Sequence, residues 1–464
     1  VKNRIFENVR IESMAAEGKC IAHVNGRVVF VENAAPGDIV DLKITDKKKR
    51  FLNARPITFH QLSDRRTEPF CDHFSLCGGC KWQHVDYNLQ IDSKRQQIID
   101  QFQRIGRFPF PEVKPLLAAP NTTQYRNKLE YTFSNRRWLT NQEISHQGQL
   151  ERNGVGFHIP GHFDRIIDVH QCHLQKEPTN AIRNGLRSFA LKQHLGFYDI
   201  KENKGLLRNL IVRTSSTGHV MVIVQFGEDS PEPILQVMQH LNDNFPAIDS
   251  LYYVVNEKKN ETFNDLEVVL FCGAPYIEEQ VLGLQFKLGP KSFFQTNTPQ
   301  AEQLYAIAIQ MAQLSGEETV FDLYCGTGTI TSCVARTAHH AVGIDSVKEA
   351  IEDARDNARH NGISNIGFEV GDLKDVEPEG LIAKHGHPDV IITDPPRAGM
   401  HKDVVLAILK MQPARVVYIS CNPATQARDL AILLSDYEIS GIQPVDMFPH
   451  THHLENIVAL RRKL

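Results

Sequence analysis

Asp322-Leu323-Tyr324-Cys325-Gly326-Thr327-Gly328-Thr329 is the stretch on which the reading of this chain turns. It leaves an apolar strand, Val320-Phe321-Asp322-Leu323, and enters a helix, with two glycines that let the backbone approach a ligand closely. The dinucleotide fingerprint G-x-G-x-x-G is not completed, because Thr331 stands where the third glycine belongs. Further strands follow at Ala341-Val342-Gly343-Ile344, Ile366-Gly367-Phe368-Glu369-Val370, Val390-Ile391-Ile392-Thr393 and Val416-Val417-Tyr418-Ile419. Helical stretches separate them, such as Val347 to His360, closed by the C-cap signal Asn361-Gly362. Strands alternating with helices predict a parallel, doubly wound α/β sheet.

In such a sheet, ligands bind in the crevice beyond the carboxyl ends of the strands. Four successive strand ends here carry polar loops: the glycine run, Asp345, Gly371-Asp372 and Asp394-Pro395-Pro396-Arg397. Asp345 stands where an acid accepts hydrogen bonds from ribose hydroxyls. The pattern predicts a cofactor site, and its spacing resembles class I S-adenosylmethionine methyltransferases. In relatives that methylate exocyclic amino groups, the last motif usually ends in an aromatic residue that stacks on the base. Arg397 in that place points away from amino-group chemistry.

Ser420-Cys421-Asn422-Pro423 follows the fifth strand at the same edge. A strand end just before a helix offers exposure and a positive dipole, and both are expected to favour the thiolate of Cys421. Carbon 5 of uracil is a poor nucleophile until a thiolate adds to carbon 6 and turns the ring into an enolate. A base must then remove the carbon 5 proton so that the thiolate can leave. Glu455 is the candidate base, in His450-Thr451-His452-His453-Leu454-Glu455 just before the strand Ile457-Val458-Ala459-Leu460. Adjacent His452 and His453 would point to opposite sides of an extended chain, which argues against a metal site there.

Upstream, Cys20 to Val24 and Arg27 to Val31 flank the hairpin signal Asn25-Gly26, and Ile39 to Ile44 alternates as a strand. Residues 1–58 therefore read as a small β-barrel of the oligonucleotide-binding type. Residues 59–290 read as a central α+β domain and 291–464 as the catalytic domain. Strand-like runs at 210–213, 220–224 and 251–255 suit an antiparallel sheet with one wet face. The net charge of −4 gives no bulk attraction to nucleic acid, so RNA binding would rest on local basic runs such as Lys47-Lys48-Lys49-Arg50. No window reaches the roughly 18 apolar residues of a membrane span, and Val1-Lys2-Asn3-Arg4 lacks the apolar core of a signal peptide. A cytoplasmic protein with no membrane partner is expected.

Nine cysteines in a long chain argue against a disulfide scaffold. Cys71-x5-Cys77-x2-Cys80 with the distant Cys172, set between His170 and His173, supplies four thiolates. Four suffice for a [4Fe–4S] cluster or a structural zinc. The spacing is not the C-x3-C-x2-C of radical enzymes.

Together, Cys421 in Ser-Cys-Asn-Pro, Glu455 after His-His-Leu, Asp394-Pro-Pro-Arg and Phe293-Phe294-Gln295-Thr296-Asn297 resemble the RNA uridine-5-methyltransferases. That family includes 23S ribosomal RNA enzymes and the tRNA T-loop enzyme. The resemblance spans nearly the whole chain and implies a TRAM-like RNA-binding barrel before a Rossmann-like methyltransferase domain. It implies Cys421 as nucleophile and Glu455 as base. It places S-adenosylmethionine against Gln295, Tyr324, Thr329, Asp345, Asp372 and Asp394, with Asp394 also near the target uracil. It further implies a [4Fe–4S] cluster on Cys71, Cys77, Cys80 and Cys172, and a helix near 87–104 packed on the catalytic domain. The expected protein is a monomer acting on a uridine in 23S rRNA. The alternatives are a tRNA T-loop uridine-5-methyltransferase and a non-catalytic RNA-binding or assembly protein on the same fold. Cytosine-5 enzymes commonly carry a cysteine in the loop that here reads Asp394-Pro395-Pro396-Arg397, so they fit less well.

Overall fold

The computed structural model describes residues 4–145, 150–375 and 377–463, so Val1, Lys2 and Asn3 of the start read above lie outside them. The first six strands form one sheet in the order Ile5–Arg10, Ile39–Lys47, Phe51–Gln61, Arg27–Val31, Cys20–Val24, Ser13–Met14. Asn25 (φ 51°) and Gly26 (φ 72°) make the tight turn that pairs Val24 with Arg27, as the dipeptide predicts. This module has its own core, centred on Ala22, Val29, Val31, Val40 and Leu42.

The middle of the chain builds a seven-stranded sheet that departs from expectation in two ways. Strand Ser250–Val255 runs parallel to Val220–Phe226, because helix Pro231–Asn244 carries the chain back across the sheet. Strands Leu207–Thr214 and Val220–Phe226 are also buried on both faces rather than wet on one. One face (Leu210, Val212, Val222, Val224) packs on Ile182 and Leu186 of helix Thr179–Lys192 and on Val237 and Leu241 of helix Pro231–Asn244. The other (Ile211, Met221, Ile223) shares a core with Phe286, Leu304 and Val417 of the catalytic half. The run Val220-Met221-Val222-Ile223-Val224 has no polar position to wet, which is the pattern of a doubly covered strand.

The catalytic sheet is ordered Ile366–Val370, His340–Asp345, Thr319–Leu323, Val390–Thr393, Arg415–Ser420, Glu455–Arg462, Tyr437–Val445. The first five strands are parallel, and the last two form an antiparallel hairpin beside Arg415–Ser420. The chain enters at the central strand, Thr319–Leu323, runs outward to one side and then returns to the other. The switch point therefore lies between Thr319–Leu323 and Val390–Thr393. Helix Tyr87–Gln101 packs on this fold: Ile98 and the adjoining Phe102 sit in one core with Ala427, Leu430 and Val458. Among the described residues, no helix is long and apolar enough to cross a membrane.

Candidate active site

The turn after Thr319–Leu323 places Tyr324 (φ 65°), Gly326 (φ 53°) and Gly328 (φ 73°) in the left-handed region within five residues. Tyr324 and Cys325 N–H donate to the Ile344 carbonyl (3.0 and 3.1 Å). Asp345 accepts from Gly326 N–H (3.0 Å) and Val347 N–H (2.9 Å), binding the two loops to each other. At Gly328 a Cβ would come within 2.8 Å of Ala354 Cβ and 2.9 Å of Phe368 Cε1, so close helix packing demands glycine there. Thr331, in place of a third glycine, donates from Oγ1 to the buried Asp322 Oδ2 (2.6 Å). Burial raises the Asp322 carboxyl to about 7, with the Thr331 bond opposing.

These loops bound a cavity of about 840 Å³. Of the eight predicted catalytic and cofactor residues, Gln295, Tyr324, Asp345, Asp394, Cys421 and Glu455 line it. The other two do not: Thr329 is buried at the start of its helix with Oγ1 3.4 Å from Thr327 Oγ1, and Asp372 is held by Lys374 Nζ (2.6 Å).

Sheet register brings the two catalytic candidates together. Strand Arg415–Ser420 pairs Ser420 with Asn456, so the next residues along, Cys421 and Glu455, emerge side by side at the sheet edge. Asn422 fixes the first of them by accepting from Ala424 N–H (3.1 Å) and donating to the Arg397 carbonyl (3.0 Å). The expected thiolate is not what this site favours. Burial pushes the Cys421 thiol up to about 12, Glu455 and Asp394 add to the rise, and Arg397 opposes it. Loss of solvent and two nearby acids outweigh the helix end. Burial also raises Asp394 to about 7, with the Gln295 amide opposing. Glu455 is 3% exposed, and its Oε2 has no hydrogen-bond partner among the described residues. Burial lifts its carboxyl well above the ordinary range, helped by Asp394 and opposed by Arg397.

The histidine run is folded rather than extended: the His452 and His453 rings lie 4.0 Å apart. Arg397 Nη2 donates to His453 Nδ1 (2.7 Å), while burial and then His452 lower His453 to about 3, keeping it a neutral acceptor. Among the described residues, no group of three or more His, Cys, Asp or Glu converges on a point where one ion could sit.

Cys71, Cys77, Cys80 and Cys172 are free thiols that instead line a second cavity of about 370 Å³. Burial raises all four, Cys77 to about 12 and Cys80 to about 11. The four soft sulfur donors share this cavity without converging, among the described residues, on one point where a metal ion could sit. Gly79 and Arg126 line both cavities, so the cysteine site adjoins the catalytic one.

Sequence reasoning missed Arg126 and Phe448. Arg126 sits 5.9 Å from the Phe448 ring centroid, and both line the larger cavity. They come from segments more than 300 residues apart, neither within a recognisable motif, so no local signal pointed to them.

Comparison with known proteins gives the family. Residues 276–463 match the tRNA (uracil-5-)-methyltransferase family model, and residues 6–57 match the TRAM domain. An uncharacterised RNA methyltransferase of Bacteroides thetaiotaomicron is 52% identical over 96% of this chain and 99% of its own length. One from Porphyromonas gingivalis is 48% identical over 98% and 99%. The crystal structure of Pyrococcus abyssi tRNA (uracil-54, C5)-methyltransferase with S-adenosyl-L-homocysteine superposes with a TM-score of 0.76 at 28% identity, covering 97% of this chain and 99% of that one. With its glycine loop, paired Cys421 and Glu455 and N-terminal TRAM module, the chain belongs to the S-adenosylmethionine-dependent RNA uracil-5-methyltransferase family.

Proposed function

We propose that the chain methylates carbon 5 of a uridine in 23S ribosomal RNA through a covalent adduct on Cys421, with Glu455 as the base. The carrying observation is the sheet register that sets Cys421 beside Glu455 in the cavity bounded by the glycine loop. Cys421 gives its thiol proton to solvent water as Sγ adds to carbon 6, and the ring electrons move to carbon 5. S-adenosylmethionine, when bound, supplies the electrophilic methyl group. Glu455 then takes the carbon 5 proton, the C–S bond breaks and the ring double bond returns. Burial raises the Glu455 carboxyl, so that once ionised it is a stronger base than an exposed glutamate, and its Oε2 has no partner among the described residues. Gln295, Tyr324, Asp345 and Asp394 are assigned to the methyl donor, whereas Thr329 and Asp372, expected beside it, do not line the cavity. Cys71, Cys77, Cys80 and Cys172 would hold a [4Fe–4S] cluster, which cross-links their segments when bound. The enzyme is read as a cytoplasmic monomer.

The likeness to the Pyrococcus abyssi enzyme favours a second reading, a tRNA uridine as target. Tritium release from RNA labelled only at uridine carbon 5 tests both, with 23S rRNA fragments and tRNA transcripts assayed side by side. Wild type should release tritium from rRNA and Cys421→Ala should release none. Release from tRNA alone would replace the target, and undiminished release by the variant would remove Cys421 from the mechanism. Protein purified without oxygen should be brown; a colourless protein holding zinc would overturn the cluster.

A further inference from the structure

The 446–454 loop joins the last two strands, lines the cavity with Phe448, Thr451 and His453, and delivers Glu455. It is held from behind by residues distant in sequence. Lys81 and Trp82 N–H donate to the His450 carbonyl (2.8 and 3.0 Å). His450 N–H donates to Gln90 Oε1 (2.9 Å), and Tyr125 Oη to the Pro449 carbonyl (3.1 Å). At the centre, Lys94 Nζ meets Asp446 Oδ1 at 2.6 Å, both side chains fully shielded from solvent. Lys94 Nζ also donates to the Phe448 carbonyl (3.1 Å), and Asp446 Oδ1 accepts from Phe448 N–H (3.0 Å). Asp446 Oδ2 accepts from Tyr87 Oη (2.8 Å), which itself accepts from Ala119 N–H (2.8 Å).

A buried ion pair is a weak source of net stability, since apolar replacements of both partners are often neutral. What this one provides is geometry. Asp446 directly follows Val445, the cross-strand partner of Glu455, so fixing Asp446 fixes the point where the hairpin turns away from the base. Cys421 is held by Asn422 and the Arg397 loop, which meets the 446–454 loop at its surface, where Arg397 Nη2 donates to His453 Nδ1 (2.7 Å), and not through the Lys94–Asp446 pair.

We propose that Lys94 and Asp446 are a positioning pair that aims Glu455 at the carbon 5 proton, and so governs release of the covalent RNA adduct rather than its formation. This rests on the reading of Glu455 as base. It also means that helix Tyr87–Gln101, far from the catalytic fold in sequence, controls one chemical step.

The test uses the full-length Lys94→Met/Asp446→Leu double variant, with RNA and S-adenosylmethionine, followed as the protein–RNA band on denaturing gels. The adduct should form at the wild-type rate and persist. kcat should fall by about 100-fold, the scale of a misplaced catalytic group, and KM for RNA should fall with it, leaving kcat/KM near the wild-type value. Tyr87→Phe, which removes one hydrogen bond to Asp446, should shift release the same way by less, and decides the matter if the double variant does not fold. Wild-type release, or slowed adduct formation without accumulation, overturns the proposal. Glu455→Gln separates the two readings: if it accumulates adduct and the double variant does not, only the positioning role fails. If Glu455→Gln accumulates none, the base assignment fails first.

Discussion

Asp394 and Glu455 are acids buried in one cavity beside a thiol, and such a group cannot ionise together without cost. Asp394 has an ordinary value of 3.8 and a folded value of about 7. Because the folded form holds the proton more tightly, its stabilising contribution is complete below 3.8 and is lost as pH rises through about 7. Asp394→Asn should therefore gain thermal stability over wild type as pH moves from acid to above neutral, by roughly 1 °C for each kcal/mol of relief in a chain of this length, while losing activity. Melting curves at several pH values check this, and a pH-independent difference would mean that Asp394 is not raised. At this scale the sequence named Cys421 and Glu455 because their chemistry is written in short motifs. It misjudged the charge state of Cys421, since burial and neighbouring acids are not local properties.

The glycine loop and the switch-point sheet were legible because each strand, turn and helix carries its own signal. Thr331 shows how a departure from a motif is compensated: the missing glycine becomes a donor to Asp322. Gly328 tolerates no such change, with φ 73° and neighbouring carbons already at contact distance. Gly328→Ala should lose about 1–2 kcal/mol from the left-handed strain alone, with more from the clash, and should weaken S-adenosylmethionine binding. Urea unfolding and ligand titration measure the two effects, and unchanged values for both would contradict the packing argument. The middle sheet was less legible. A wholly apolar run has no polar residues to mark a face, and the return helix that makes strand Ser250–Val255 parallel is a matter of topology.

Across the whole molecule, the middle sheet and the catalytic half share a core, whereas the TRAM module has its own. Ile223, 2% exposed, lies in that shared core. Ile223→Ala should cost about 2–5 kcal/mol and lower the unfolding midpoint seen by circular dichroism and by S-adenosylmethionine binding together. Two separated transitions would show that the halves fold independently. What the sequence determined alone was the set of chemical parts: the glycine turn, the acids at strand ends, the Cys421 thiol and the Glu455 carboxyl, the four cysteines and the Asn-Gly hairpin. Each depends on residue type and short spacing, which the chain states directly. Only the tertiary structure decided that Arg126 and Phe448 line the site, that the cysteine cavity adjoins it, and that Lys94 reaches Asp446 behind Glu455. Those contacts join segments separated by hundreds of residues, and their partners are chosen by packing rather than by any local pattern.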